Sequence, residues 1–233
     1  MSFHSRSLGE IAADRAGAGA VLRRWGLDYC CEGGVSLEAA AAQHGLDIEA
    51  ICADLAAAVS PETAAPGDTG RLIAHIVERY HNTHERELAD AIVLATRVEA
   101  AHSADEACPH GLADHLQLML DEMEAHHQKE EAVIFPAMLR GMGAALRMPL
   151  ARMTSEHDEI RDQLRTLAAL TMGFEAPAHA CTSWTLLYGL CRKLDADLRE
   201  HLHLENNVLF RRFAGADQPK DLRWRNVARG REA

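Results

Sequence analysis

The stretch His126-His127-Gln128-Lys129-Glu130, read with His201-Leu202-His203-Leu204-Glu205, decides the fold of this chain. In each, a His precedes a Glu by four residues, a step that puts both side chains on one face of an α-helix, about one turn apart. Each pair sits inside a long apolar stripe with steps of three and four residues. Around the first pair the stripe reads Leu112, Leu116, Met119, Met123, His126, Glu130, Val133. Around the second it reads Trp184, Leu187, Cys191, Leu194, Leu198, His201, Glu205, Val208. Two further stripes carry His at the matching level: Ile73, Val77, His81, His84, Leu88, Ala91, Ala95, Val98, and Met153, His157, Ile160, Leu164, Leu167.

The stripes predict four long helices, from about Thr69 to His102, Leu112 to Arg140, Pro149 to Thr171 and Thr182 to Phe213. Pro109, the run Gly141-Met142-Gly143 and the segment Gly173 to Ala180 with Pro177 break them apart. Short connections between long helices imply an antiparallel four-helix bundle. No alternating β pattern appears, so the expected class is all-α.

Upstream, residues 1–59 read as a small helical domain, with helices over Ala16 to Trp25, from a Ser36 cap to His44, and from an Asp47 cap to Val59. Asp28-Tyr29-Cys30-Cys31-Glu32-Gly33-Gly34 lies between the first two and reads as a turn. Residues 60–68 have the composition of a linker, 69–213 form the bundle, and 214–233 a polar C-terminal tail.

Composition narrows the function. Of 233 residues, 48% are apolar and 25% charged, as in a folded soluble chain. The net charge of −11 argues against nucleic acid, whose phosphates it would repel. No run of about 18 apolar residues is present, so no membrane-spanning helix is expected. The N-terminus lacks the pattern of a secretory signal, and the six Cys form neither a C-x-x-C pair nor a disulfide framework. The chain is therefore expected in the cytoplasm.

The 14 His are the unusual feature. His81 and His126 are 45 residues apart, His157 and His201 are 44 apart, and the matching Glu separations are 49 and 48. The two halves of the bundle thus repeat one another, giving a pseudo-two-fold set of four His and two Glu. Two buried carboxylates among four imidazoles make a costly core unless a cation lies between them. Two metal ions satisfy the set, with both Glu bridging and two His completing each metal; Fe, Mn, Zn and Cu all suit such donors. His84, one turn on from His81, is a candidate to support the ligands from behind rather than to bind metal itself. His127 and His203 lie off the stripes and are expected to be solvated. Glu131 and Glu156 are expected to be surface charge, with orientation of the neighbouring ligand as the alternative. For Cys30 and Cys31 two readings stand: one thiol buried and one exposed without function, or an accessible pair with a thiol role, Arg23 and Arg24 being the nearby cations.

Arg79-Tyr80-His81-Asn82-Thr83-His84, His126-His127-Gln128-Lys129-Glu130-Glu131 with Ile134-Phe135-Pro136, Ser155-Glu156-His157-Asp158 and His201 through Phe210 together resemble the hemerythrin-like domain of the RIC (repair of iron centres) proteins. Leu27 through Gly34 is similar to the double-cysteine signature of that family's N-terminal domain. The resemblance runs nearly to Phe213. It implies two non-haem iron ions, oxo- or hydroxo-bridged, with His81, His126, His157 and His201 as nitrogen ligands and Glu130 and Glu205 as bridges. It also implies repair of iron–sulfur clusters damaged by nitrosative or oxidative stress, by iron supply or nitric oxide removal. The expected partners are damaged iron–sulfur proteins, with nitric oxide or oxygen as small ligands, and Cys30 and Cys31 as thiols that bind iron or nitric oxide. Alternatives are an oxygen or nitric oxide sensor and a di-iron nitric oxide reductase or oxidase. Oxygen-carrying hemerythrins use five His where this reading finds four, which argues against reversible oxygen carriage.

Overall fold

A computed structural model describes residues 3–15, 17–58 and 67–213. Most of the expected linker and all of the expected tail lie outside the described residues. The fold is helical, and its one β feature among the described residues is an isolated antiparallel bridge between Ser7 and Ser36.

Four short helices form the N-terminal part: α1 (Leu8–Asp14), α2 (Ala18–Arg24), α3 (Leu37–His44) and α4 (Ile48–Ala57). The predicted caps act as expected. Ser36 accepts from the Ala39 N–H and Asp47 from those of Glu49 and Ala50. Helix α1 was not expected from its pattern, although Ser7 and Glu10 form a reciprocal capping box there. Leu8, Ile11, Leu22, Leu37, Ile51 and Leu55 close a separate small core.

The bundle has four rods. The first is α5 (Thr69–Ile76) running into α6 (Asn82–Ala101), and the second is α7 (Leu112–Lys129) running into α8 (Phe135–Leu139). The third is α9 (Gly143–Leu170), and the fourth is α10 (Thr182–His203). The third rod begins two turns earlier than predicted. Pro149 lies inside it rather than at its start, past the four leading residues whose N–H groups have no intrahelical partner, so the helix forgoes one bond there.

Three of the rods contain a wide π-helical turn: Val77–His81, Glu130–Ile134 and Leu204–Leu209. Such a turn inserts one residue and rotates everything after it. This corrects two stripe assignments. Val133 is 57% exposed and Ile134 is buried in its place; Val208 is half-buried and Leu209 takes the core position. Each π turn holds one of the polar core residues: His81 ends the first, Glu130 opens the second and Glu205 lies in the third.

The bundle core is split in two. One apolar half is built on Leu88, Met123, Ile160 and Leu198, the other on Ile76, Ile134, Met153 and Leu209. The His and Glu layer lies between them in sequence on every rod, so the site is enclosed by hydrocarbon above and below.

The N-terminal part docks on the bundle. Tyr29 donates its hydroxyl to Glu200 at 3.2 Å, and Asn207 donates to the Tyr29 and Cys30 carbonyls at 3.1 Å each. Asp28 faces Arg161 at 3.5 Å. Docking explains why His203 is buried rather than solvated: its ring meets Tyr29 edge-on at 5.3 Å, on a side of α10 that the bundle alone leaves open.

Candidate metal centre

All six residues singled out by their spacing are buried to 2% exposure or less. The structure gathers them into two overlapping sets. His81, His201, Glu130 and Glu205 form one, and His126, His157, Glu130 and Glu205 the other; the donor atoms of each set lie within 4.8 Å of one another. Both Glu belong to both sets, and they divide their oxygens between them. Glu130 turns Oε2 to His81 Nε2 at 3.5 Å and Oε1 to His126 Nε2 at 3.5 Å. Glu205 turns Oε1 to His201 Nε2 at 3.1 Å and to His81 Nε2 at 3.8 Å, and Oε2 to His157 Nε2 at 3.3 Å.

Proximity here is not hydrogen bonding. Both oxygens of Glu130 and of Glu205, Nε2 of His81 and both ring nitrogens of His201 have no hydrogen-bond partner. Buried polar atoms in that condition are costly. Burial and the Glu205 charge push the Glu130 carboxyl well above its ordinary range. Burial also opposes the Glu205 charge, but His201, His157 and His81 outweigh it and hold that carboxyl well below its ordinary range.

The ring tautomers sharpen this. His81 Nδ1 lies 2.7 Å from Glu131 Oε1, His126 Nδ1 2.9 Å from Glu156 Oε2, and His157 Nδ1 2.8 Å from Asn206 Oδ1. Each acceptor calls for a proton on Nδ1, which leaves the Nε2 lone pair of a neutral ring facing inward. Yet Nε2 of His126 and Nε2 of His157 stand only 3.1 Å apart. Two lone pairs at that distance repel unless a proton or a metal ion sits between them. The donor set therefore fits cations held by imidazole and carboxylate, with no thiolate among the ligands.

Glu156 is thus no surface charge. It is buried, and besides His126 it takes Lys129 Nζ at 2.8 Å and Arg152 Nε at 2.9 Å. The His126 hydrogen bond, with Lys129, holds it down to about 2. Glu131 is exposed, as expected, but also anchors a ring. Each of the two Glu steadies an imidazole on a different rod, not the ligand beside it in sequence. Asn206 had no local signal; only the fold brings it to His157. His127 is likewise buried, not solvated, because it lies between α7 and α6. His84 is fully buried with both ring nitrogens unpartnered; its ring is 5.4 Å from that of His201, and burial holds it down to about 2.

The cysteine turn faces the bundle rather than solvent. Cys30 is buried and Cys31 half-buried, and both are free thiols. Their sulfurs are 3.7 Å apart, Cys30 Sγ donates to Asp28 Oδ1 at 3.0 Å, and Cys31 Sγ lies 4.0 Å from the His157 carbonyl oxygen. The contact with Cys31, then burial and Asp28, pushes the Cys30 thiol well up. Arg23 and Arg24 turn away, to the Ala196 carbonyl and to Asp54.

Residues 72–213 match the hemerythrin HHE cation binding domain, and residues 4–59 match a domain of unknown function, DUF542. The chain is 41% identical to the iron-sulfur cluster repair protein YtfE of Musicola paradisiaca, over 91% of this chain and 97% of the relative. It is 39% identical to the protein of that name from Enterobacter sp. and 38% identical to one from Escherichia coli, each over 91% of this chain and 98% of the relative. No helix among the described residues is long and apolar enough to cross a membrane. The hemerythrin domain and the His and Glu clusters together point to a non-haem iron centre. The chain belongs to the RIC (YtfE) family, a DUF542 domain followed by a hemerythrin domain.

Proposed function

We propose that this chain repairs iron–sulfur clusters damaged by nitrosative or oxidative stress, using two iron ions held by His81, His126, His157, His201, Glu130 and Glu205. The observation that carries the reading is the division of each carboxylate between two His sets, the arrangement a bridging carboxylate requires. The names of its relatives carry the repair role. Iron in this position supplies reversible one-electron chemistry and open positions for nitric oxide or oxygen.

The chain's own residues do the rest. The anchored rings of His81, His126 and His157 turn Nε2 toward the layer without rearrangement. The two apolar halves of the core keep bulk water from the layer. Glu130, which burial and Glu205 bias toward the protonated form, would be the carboxylate to hold a proton once iron had left as cargo. Cys31 lies beside the His157 backbone, which supports a role for Cys30 and Cys31 as the thiols that receive iron or nitric oxide. Six free cysteines suit the reducing cytoplasm, where we place the protein.

The test is reactivation of a nitric-oxide-damaged iron–sulfur enzyme by the iron-loaded chain. Reactivation that fails with the metal-free chain is expected. Steady consumption of nitric oxide with no reactivation would move the chain to the nitric oxide reductases instead.

A further inference from the structure

Residues 132–155 cross from the second rod to the third and hold Arg140, Arg147 and Arg152 but no carboxylate, in a chain of net charge −11. Arg140 follows α8 and Arg147 lies in the second turn of α9; both are exposed, and neither has an ion-pair partner among the described residues. The first and fourth rods bring the same sign to this end. Arg71 is exposed in the first turn of α5, where a Cβ on Gly70 would stand 3.7 Å from Leu139 Cδ2. Arg212, at the close of the fourth rod, donates to Thr69 Oγ1 at 3.1 Å. The Asp68 carboxylate caps α5, accepting from the Arg71 N–H at 2.9 Å. Among these cations stand Leu139, Met142 and Met148, which are 60%, 45% and 77% exposed. The sequence that continues from Phe213 holds Lys220, Arg223, Arg225, Arg229 and Arg231 against Asp217, Asp221 and Glu232, so its charge adds to that of this end.

We propose that this basic, apolar end of the bundle docks an acidic face of the iron–sulfur protein under repair. The proposal rests on the repair reading above. Protein interfaces favour Arg and Met and avoid Lys, and the cations on the four rods here are all Arg. A guanidinium pairs with a carboxylate through two N–H groups at once. Met is unbranched and adapts to surfaces of different shape, which suits a chain with more than one client. Exposed Leu and Met have no partner on a phosphate backbone, and an end built from helix termini offers no amphipathic helix to lie in a membrane surface. The position also suits the role. Met148 precedes His157 by nine residues on α9, about 14 Å along the axis. Between them Arg152 bonds Glu156, which anchors His126. A client held here lies within about three helical turns of the metal layer.

The test is a binding titration of the full iron-loaded chain with a two-iron ferredoxin of acidic surface, damaged beforehand with nitric oxide. A complex is expected whose affinity falls about tenfold or more between about 50 and 300 mM salt. Arg140→Glu with Arg147→Glu should weaken it about tenfold or more, and Met148→Ser a few-fold, with iron content and helical circular dichroism unchanged. Arg86→Glu with Arg97→Glu reverses two exposed Arg of α6 instead and should bind as the unmodified chain does. No complex, undiminished affinity in the Arg140 and Arg147 variant, or an equal loss in the α6 control would overturn the proposal. So would tighter binding of anionic phospholipid vesicles or duplex DNA through the same Arg, or self-association that the same substitutions abolish. Reactivation of the damaged ferredoxin separates the two readings. Full reactivation by the Arg140 and Arg147 variant would overturn the docking and leave the repair role. Binding that this variant loses, with no reactivation by either protein, would keep the docking and overturn the repair role.

Discussion

Asn206 joins the ring of His157 to the backbone of Cys30. Its Oδ1 accepts from His157 Nδ1 at 2.8 Å, and its Nδ2 donates to the Cys30 carbonyl at 3.3 Å. The double-cysteine turn and the third rod of the bundle are therefore held by one amide. Asn206→Ala should free the His157 ring and weaken iron binding by about 10- to 100-fold, the usual cost of losing an outer partner of a ligand. Competition with a chelator measures it, and unchanged helical circular dichroism shows that the fold survives. Unaltered iron affinity would remove Asn206 from the account.

Docking of the N-terminal part depends on a glycine. A Cβ on Gly33 would lie 2.7 Å from the Tyr29 carbonyl oxygen and closer still to the Asn207 side chain. Backbone cannot yield as a flexible side chain does. Gly33→Ala should cost about 1–3 kcal/mol in thermal or denaturant unfolding, as overpacking does elsewhere. It should also raise proteolysis between the two parts.

The six cysteines should react in an order set by burial and thiol basicity. Cys181 is exposed and should be alkylated first. Burial pushes Cys191 up to about 12, so it should stay unmodified in the folded chain at mildly alkaline pH. Cys30 should lag behind Cys31. Mass spectrometry after timed alkylation reads the order, and early labelling of Cys191 would contradict the packing described.

Two acid transitions are expected. Burial opposes the charge on Asp28, but hydrogen bonds from Cys30 and Cys31, with Arg161, outweigh it and lower the carboxyl below its ordinary 3.8. A lowered acid stabilises the fold at pH values above 3.8, and that contribution is lost as pH falls through the lowered folded value. Asp28→Asn should therefore lower stability near neutrality and flatten its acid dependence below that point. Iron release is separate, because protons compete for the ligand imidazoles and carboxylates. It is expected below about pH 5, and iron retained far below that would contradict a labile centre.

Much of this was legible in sequence because it is local. A His and a Glu four residues apart share a helix face whatever surrounds them, and the structure brings His126, Glu130, His201 and Glu205 together with His81 and His157. The π turns were not legible, since a stripe with steps of three and four residues assumes an unbroken helix; Val133 and Val208 were misplaced for that reason alone. His127, His203, Glu156 and Asn206 were misread or missed because partners on other elements decide their state. His203 needs Tyr29, Glu156 needs His126, and no spacing along the chain announces either.

The most direct measurement of the central claim is iron per chain, by metal analysis of the full-length protein after anaerobic loading with Fe(II) and removal of excess. The account predicts two irons, and loss of iron in the paired substitution His126→Ala with Glu205→Ala, which removes one donor from the His81 set and two from the His126 set. A chain that takes up no iron, or a folded double variant that still holds as much, would contradict it.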